Sequence, residues 1–240
     1  MSQPDLETAV RVGSGVWPSL APDEPRQLTA ALARLSDRLL DAGPEQLAQL
    51  LPEALEHAAR AASVDRLALA ELTGDGQRLT RTHCFSMPGI PPWPAADLTT
   101  VPWYAEQVQQ SRTLIWRRLP ECLPPEAVPE AGFVASMGVK SHLMLPLKAS
   151  GVALGCLGVS SFRCFRDWSA ELVSWMEVVA GLFANALLRQ HFEQRLHAVE
   201  DVNRTLQEKL RDRLDAETVF LQRRRSGRRA STRSWARARR

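Results

Sequence analysis

The feature that most constrains the fold is an apolar segment at residues 137–161, MGVKSHLMLPLKASGVALGCLGVSS. It divides into two runs of strand-forming residues separated by the short turn sequence ASG, a pattern that predicts a β-hairpin. Glycines stand in the turn and in the second run, at Gly151, Gly155 and Gly158. Glycine inside a strand usually permits a close approach of another part of the chain or a bulge. The segment therefore predicts two paired strands of a sheet.

The same glycines do not match a phosphate-binding motif. Their spacing, G-x-x-x-G-x-x-G, is neither the dinucleotide fingerprint nor the phosphate loop with its Lys and Ser/Thr. No helix is predicted directly after Gly158, so no helix N-terminus is available to hold an anion. The segment thus favours a receptor over a nucleotide-dependent enzyme.

Three more strands are predicted before this hairpin. Alternating apolar residues indicate strands at 64–72 and 77–85, joined by the turn TGDG, and a further strand at 112–119. The hairpin itself contributes strands at 141–148 and 152–162. Because both hairpins pair antiparallel strands, we expect an antiparallel sheet.

Helical periodicity surrounds these strands. Leucines recur at helical spacing over residues 27–40 and 45–62, and short helices are predicted at 101–110 and around 131–137. A long helix is expected from Asp167, capped by that residue or by Ser169. We expect the first and last helices to cover one face of the sheet. The predicted fold class is α+β, an antiparallel sheet flanked by helices, with a long C-terminal coiled-coil helix.

Beyond residue 188 the broad apolar stripe of the last helix narrows to a seam. Its members fit alternating a and d positions of a heptad repeat: Phe192, Leu196, Val199, Asn203, Leu206 and Leu210. A narrow seam on a charged helix is typical of a coiled coil. We therefore predict a parallel homodimer through residues 189–222, in which the polar Asn203 fixes the register.

Charge is divided unevenly along the chain. The formal net charge is +3, but residues 223–240 hold nine arginines and no acidic residue, which leaves −6 on residues 1–222. The arginine-rich tail is predicted to be disordered, and nucleic acid is indicated as a partner only through it. A shifted reading frame is an alternative account of this tail. Residues 1–26, rich in proline and glycine, are predicted to form a flexible lead-in.

The titratable residues give little support to catalysis or metal binding. The five histidines are His57, His83, His142, His191 and His197. None of them stands at a metal-ligand spacing, and the four cysteines form no CxxC pair. No uncharged apolar run reaches the roughly 18 residues of a membrane span, and no signal peptide is recognised. We expect a cytoplasmic protein with no enzymatic activity and no metal, and the sequence does not identify a cofactor.

Three segments resemble a GAF domain, the small-molecule sensory module of bacterial signalling proteins. They are LARLSDRLLD with LEHAARAASVDRLALAEL, SMGVKSHLMLPLKASGVALGCLGVSSF, and RDWSAELVSWMEVVAGLFANALLRQHFEQRL. The family pattern is matched most specifically at Gly138, Ser141, Pro146, Leu147 and Gly155. The resemblance implies a GAF-like sensory domain at residues 27–188, followed by a signalling helix.

Residues 199–222 are similar to the linker that joins such domains to an AAA+ module in enhancer-binding transcription regulators, and to linkers in sensor histidine kinases. No ATPase or kinase motif occurs in the 240 residues. The resemblance therefore implies a non-catalytic sensor whose effector is missing from this sequence. A truncated regulator or kinase fragment, or a purely structural dimerisation module, remains an alternative.

Aromatic residues in the loop-rich part of the chain are the candidates for ligand contact. This group contains Trp93, Trp103, Tyr104 and Trp116. The resemblance implies a pocket on this side, and ligand pockets are mostly apolar with a few polar anchors. We predict that Trp103, Tyr104, Trp116 and Met137 border one cavity on the sheet face opposite the last helix. The alternative is that they fill a core.

Overall fold

The chain forms five helices and five strands in the part that the computed structural model describes, which is residues 24–73, 78–91 and 101–237. Side chains are described for residues 27–43, 45–73, 78–91 and 101–214. The elements in chain order are α1 (Glu24–Asp41), α2 (Pro44–Ala61), β1 (Arg66–Leu72), β2 (Leu79–Ser86), α3 (Pro102–Gln109), β3 (Leu114–Trp116), α4 (Val128–Met137), β4 (Ser141–Ala149), β5 (Val152–Ser161) and α5 (Ala170–Arg237).

The five strands form one antiparallel sheet in the order β2-β1-β5-β4-β3. All five predicted strands are confirmed, and the turn predicted at residues 73–76 lies, apart from Thr73, outside the described residues. β3 is shorter than predicted because it pairs only with β4, over three residues. After it the chain departs from the ladder, and the Oγ of Ser141 donates a hydrogen bond to the carbonyl of Arg117.

The first and last helices were predicted to cover one face of the sheet. The last helix, α5, does so, but its neighbour on the sheet is α2, and α1 packs against these two helices. The strands present leucine and valine to them at every second position, because alternate side chains of a strand point to opposite faces. These fully buried strand residues are Leu67, Leu69, Leu143, Leu145, Leu147, Leu157 and Val159. Burying one such side chain stabilises the fold by about 1.5–3 kcal/mol, so this layer forms the main core.

Gly155 permits the close pairing of β1 and β5. A Cβ atom at this position would lie 2.0 Å from the carbonyl oxygen of Ala70 and 2.8 Å from the Cα of Glu71. Any side chain would therefore collide with the backbone of β1. The sequence-based interpretation of the strand glycines, that they shape the sheet, is consistent with this contact.

Helix α5 is 68 residues long, so it extends for roughly 100 Å at 1.5 Å per residue. The amide of Leu172 bonds to the Oγ of Ser169, one of the two predicted caps. Residues 223–237 are helical, which differs from the predicted disorder of the tail. Arginine and alanine are strong helix formers, and an existing helix propagates more readily than a new one nucleates.

One helical window within Ala170–Leu214 is long and apolar enough to cross a membrane by length and composition alone. Half of this window is buried inside the protein. Met176, Val179 and Phe183 of this helix pack in the main core. Such burial is typical of the core helix of a globular domain.

α5 is fastened to the domain at the point where it leaves the core. The guanidinium of Arg189 donates hydrogen bonds to the carbonyls of Leu39 at 3.0 Å and Leu40 at 3.2 Å, and to that of Ala42. Two residues later, the Nε2 of His191 lies 2.6 Å from the Oε2 of Glu71, near the end of β1. These contacts join α5 both to the C-terminus of α1 and to the sheet.

Candidate functional site

A cavity of about 70 Å³ lies on the sheet face opposite α5, under helices α3 and α4. Small residues of the two central strands form its floor: Ala68, Ala70, Cys156 and Gly158. They alternate along β1 and β5 with the leucines that face the main core. Because these side chains are small, α3 and α4 cannot close completely on the sheet, and space remains between the two layers.

Aromatic side chains form one wall of the cavity. Trp116 stacks on Tyr104, with ring centroids 6.1 Å apart and planes 27° apart. It also stacks on His142 at 5.8 Å and 24°. On the other side of this group, the ring of Trp103 lies 6.0 Å from that of Trp116. The aromatic residues therefore meet at the edge strand β3 and the start of α3.

The four residues predicted to border the cavity are divided between two positions. Tyr104 and Trp116 line it, whereas Trp103 and Met137 pack in the surrounding apolar cluster without lining it. Trp103 and Tyr104 are neighbours on a helix, where successive side chains point about 100° apart, so only one of them faces inward. On α4 the cavity is lined by Phe133 instead of Met137. Trp93 lies outside the described residues.

A chain of buried polar groups crosses the aromatic wall. The hydroxyl of Tyr104 lies 3.0 Å from the Nε2 of His142, and the Nδ1 of His142 lies 2.9 Å from the Oγ of Ser160. The Sγ of Cys156 donates to the hydroxyl of Tyr104 at 3.8 Å. Gly158 leaves room for the imidazole, since a Cβ there would lie 3.1 Å from the Cε1 of His142.

Burial keeps these groups uncharged near neutral pH. It lowers the pKa of His142 to about 4, assisted by the positive charge of Arg66. It also raises the pKa of Tyr104 well above its ordinary value and that of the Cys156 thiol to about 12. A neutral thiol is a weak nucleophile, and both imidazole nitrogens are already engaged. These hydrogen bonds consequently order the aromatic wall of the cavity.

Glu130 joins the two helices that cover the cavity. Its side chain is only 3% exposed, and its Oε1 accepts a hydrogen bond from the amide of Tyr104 at 3.1 Å. Because that amide belongs to the first turn of α3, the carboxylate also interacts favourably with the helix dipole. The second oxygen, Oε2, has no hydrogen-bond partner among the described residues. Glu130 thus brings an acceptor to the cavity wall.

Arg81 brings a donor to the opposite side of the cavity, from strand β2. Its Nε atom is buried, and within the described part of the chain it has no hydrogen-bond partner. No cluster of three or more His, Cys, Asp or Glu that could hold a metal is present among the described residues. Glu130 and Arg81 thus bring one hydrogen-bond acceptor and one donor to the walls of the cavity.

Sequence reasoning did not single out Glu130, Arg81, His142 or Cys156. One available signal was the alternation of large and small residues in the β1 sequence RLALAEL and the β5 sequence VALGCLGVSS. A central strand that carries large side chains on one face and small side chains on the other leaves space on the second face. A second signal was the single acidic residue in the apolar helix VPEAGFVASM.

The low pKa of His142 predicts a loss of stability in acid. Above pH 6.5 the histidine is neutral in both the folded and the unfolded chain. As the pH falls below 6.5, His142 of the unfolded chain binds a proton, whereas His142 of the folded chain stays neutral until about pH 4. The free energy of unfolding therefore decreases, by about 3 kcal/mol in total. Between pH 7 and pH 4.5 most of this decrease is expected, so urea unfolding should show a pH-dependent loss of stability that is smaller by about 2 kcal/mol in His142→Gln than in the wild type.

The change His197→Gln, at an exposed histidine on α5, serves as the control and is expected to leave the pH dependence of the wild type. If the free energy of unfolding fell by the same amount between pH 7 and pH 4.5 in the wild type and in His142→Gln, the assignment of a neutral, buried His142 would be contradicted.

The family model of the GAF domain matches residues 46–187, more than half of the chain. A sequence search of curated proteins finds no match. The fold is similar to that of the phycocyanobilin-bound GAF domain of a cyanobacterial phytochrome, with a TM-score of 0.58 and 17% identity over 69% of this chain and 96% of that one. It is also similar to a free methionine-R-sulfoxide reductase from Neisseria meningitidis, solved in complex with its substrate, with a TM-score of 0.56 and 11% identity over 72% and 95% of the two chains.

A third similar structure is the chromophore-binding domain of a bacteriophytochrome from Stigmatella aurantiaca, with a TM-score of 0.54 and 14% identity. That match covers 70% of this chain but only 62% of the other. At such low identities the structural similarities establish the fold alone. Together with the family match, which covers β1 to β5 and the buried part of α5, they lead to one conclusion: this chain belongs to the GAF domain family.

Proposed function

We propose that this chain is a cytoplasmic sensor of bacterial signal transduction, in which the cavity binds a small molecule and α5 transmits the bound state within a homodimer. The observation that carries the proposal is the cavity of about 70 Å³ between the sheet and helices α3 and α4. It is mostly apolar, with a few converging polar groups, as ligand sites usually are. A purely structural dimerisation module would be expected to have a filled core at this position.

Two structures of similar fold support the proposal that the cavity binds a small molecule. The phytochrome domain is bound to phycocyanobilin and the Neisseria reductase to its substrate, so GAF-like folds in these proteins hold small molecules. In this chain the Cys156 thiol and His142 are neutral and hydrogen-bonded. We therefore propose binding without chemical conversion of the ligand.

A short route connects the cavity with α5. Ala70 lines the cavity, and the next residue, Glu71, points to the other side of the sheet, where its carboxylate contacts His191 of α5. Gly155 packs directly on the backbone of both Ala70 and Glu71. Since the sheet backbone cannot shift at Ala70 without shifting at Glu71, we propose that ligand binding changes the position of α5 through this pair.

The exposed seam on α5 supports the proposed homodimer. Its apolar members, Phe192, Leu196, Val199, Leu206 and Leu210, are each between 52% and 60% exposed in the monomer. A second copy of the same helix would bury them in a parallel coiled coil. Because the seam has only about three heptads, we expect the buried part of α5 to hold the two helices in place.

A metabolite screen tests the sensor function. We expect at least one compound to raise the melting temperature of the full chain, because a ligand that binds only the folded state stabilises it. The variant Ala70→Leu adds three carbon atoms to the cavity floor and should abolish that increase. Ala135→Leu, on the exposed side of α4, is the matched control and should keep it. A ligand that raises the melting temperature of Ala70→Leu as much as that of the wild type would place binding elsewhere.

Sedimentation equilibrium tests the homodimer. We expect the full chain to be a dimer at micromolar concentrations. Asn203→Leu should strengthen association but admit other registers or orientations, since a polar a position costs stability while penalising mismatched pairing. Thr205→Leu, outside the seam, is the control. A monomeric wild type would refute the dimer, and an unchanged affinity and orientation in Asn203→Leu would refute the role of Asn203.

A further inference from the structure

We infer that the ligand of this cavity is a compact zwitterion of the size of a small amino acid, with its ammonium directed at Glu130 and its carboxylate at Arg81. The inference rests on the proposed function, that the cavity binds a small molecule, and specifies the chemistry of that molecule. It is carried by two buried polar atoms of opposite hydrogen-bonding type on the walls of an otherwise apolar cavity.

The Oε2 of Glu130 requires a hydrogen-bond donor on the ligand. The side chain is 97% buried, and its other oxygen is used by the amide of Tyr104, which fixes the carboxylate between α3 and α4. A buried acceptor without a partner costs about 1–3 kcal/mol, and more when it is charged. A ligand N–H group at the cavity wall would remove that cost. The carboxylate thus selects a molecule with an N–H donor, most strongly one that is positively charged.

The Nε of Arg81 requires a hydrogen-bond acceptor on the ligand. Arg81 lies on β2, at the far end of the floor from the aromatic wall on β3. Its Nε is buried and, like the Oε2 of Glu130, has no hydrogen-bond partner among the described residues. An N–H of a guanidinium forms its strongest hydrogen bonds with a carboxylate oxygen. This end of the cavity therefore selects a carboxylate.

The two groups together exclude molecules that carry only one charge. A simple amine would leave the Nε of Arg81 unsatisfied and would lie near a second cation, Arg66, whose charge already acts on His142. A simple carboxylate would leave the Oε2 of Glu130 unsatisfied and would be repelled by it. A zwitterion pairs with both groups and adds no net charge to a buried site.

Cavity size limits the body of this zwitterion. One water needs about 10–15 Å³ of such volume, so 70 Å³ corresponds to roughly five to seven atoms of that size. The floor at Ala70 and Gly158 and the wall at Trp116 and Phe133 are apolar, which favours an aliphatic body. The smallest aliphatic amino acids and their close analogues have this combination of size, charge and apolar surface.

The experiment uses the full chain and a defined panel of probes. The panel contains the L-amino acids, 4-aminobutyrate and glycine betaine, and each hit is compared with analogues that lack one charge. For L-alanine these analogues are ethylamine, propionate and the uncharged propionamide. Binding is measured by thermal shift and isothermal titration calorimetry. We expect at least one zwitterion with an N–H donor to bind, and its singly charged and uncharged analogues to bind at least tenfold more weakly.

Variants of Glu130 and Arg81 then test which residue binds each charged end of the ligand. Glu130→Gln keeps an oxygen for the amide of Tyr104 but removes the charge, and Arg81→Gln removes the guanidinium. Each should weaken binding of the zwitterion at least tenfold. The matched controls are Glu126→Gln and Arg78→Gln, which change exposed residues near the same positions and should bind as the wild type does. The comparison of analogues on the wild type needs no variant, so it remains decisive if a variant unfolds.

Three results would overturn the inference. The first is that the amine, the carboxylate or the amide binds as tightly as the zwitterion. The second is that Glu130→Gln and Arg81→Gln bind the zwitterion with the affinity of the wild type. The third is that no zwitterion in the panel binds. These results are distinguishable from failure of the proposed function. A ligand of another class whose binding is lost in Ala70→Leu would preserve the sensor and reject the zwitterion, whereas no ligand of any class would reject both.

Discussion

The structure depends on the pairing of β1 with β5 at the centre of the sheet. In this register Leu67 lies opposite Val159 on one face, while Ala70 lies opposite Cys156 on the other. The first face carries the large apolar side chains on which α2 and α5 pack, and the second carries small side chains that leave a cavity. A shift of one residue would exchange the two faces and place the cavity floor against α5.

The absence of a side chain at Gly155 makes this register possible, because any Cβ would collide with the carbonyl of Ala70. The same contact brings the backbone of the cavity floor and that of Glu71 into one rigid unit. Glu71 faces α5 and pairs with His191, while Arg189 holds the helix to the C-terminus of α1. The geometry that forms the cavity is therefore also the geometry that attaches the helix.

Most of the fold could be predicted from the sequence, because the period of apolar residues changes from helical to alternating at the element boundaries. The limits of β3 could not be predicted, since they depend on pairing with β4 and on where the Ser141 side chain bonds. The cavity was placed on the correct face, but only Tyr104 and Trp116 of its four predicted residues line it. Glu130 and Arg81 acquire their significance only through burial in three dimensions, which no local pattern reports.

The central claim is that occupation of the cavity on one face of the sheet changes α5 on the other. Hydrogen–deuterium exchange of the full chain, with and without a saturating cavity ligand, measures this coupling most directly. The account predicts altered exchange in α3, in α4 and at residues 189–214 of α5, with the change in α5 reduced in Glu71→Gln. Altered exchange confined to α3, α4 and the sheet, with residues 189–214 unaffected in the saturated wild type, would contradict it.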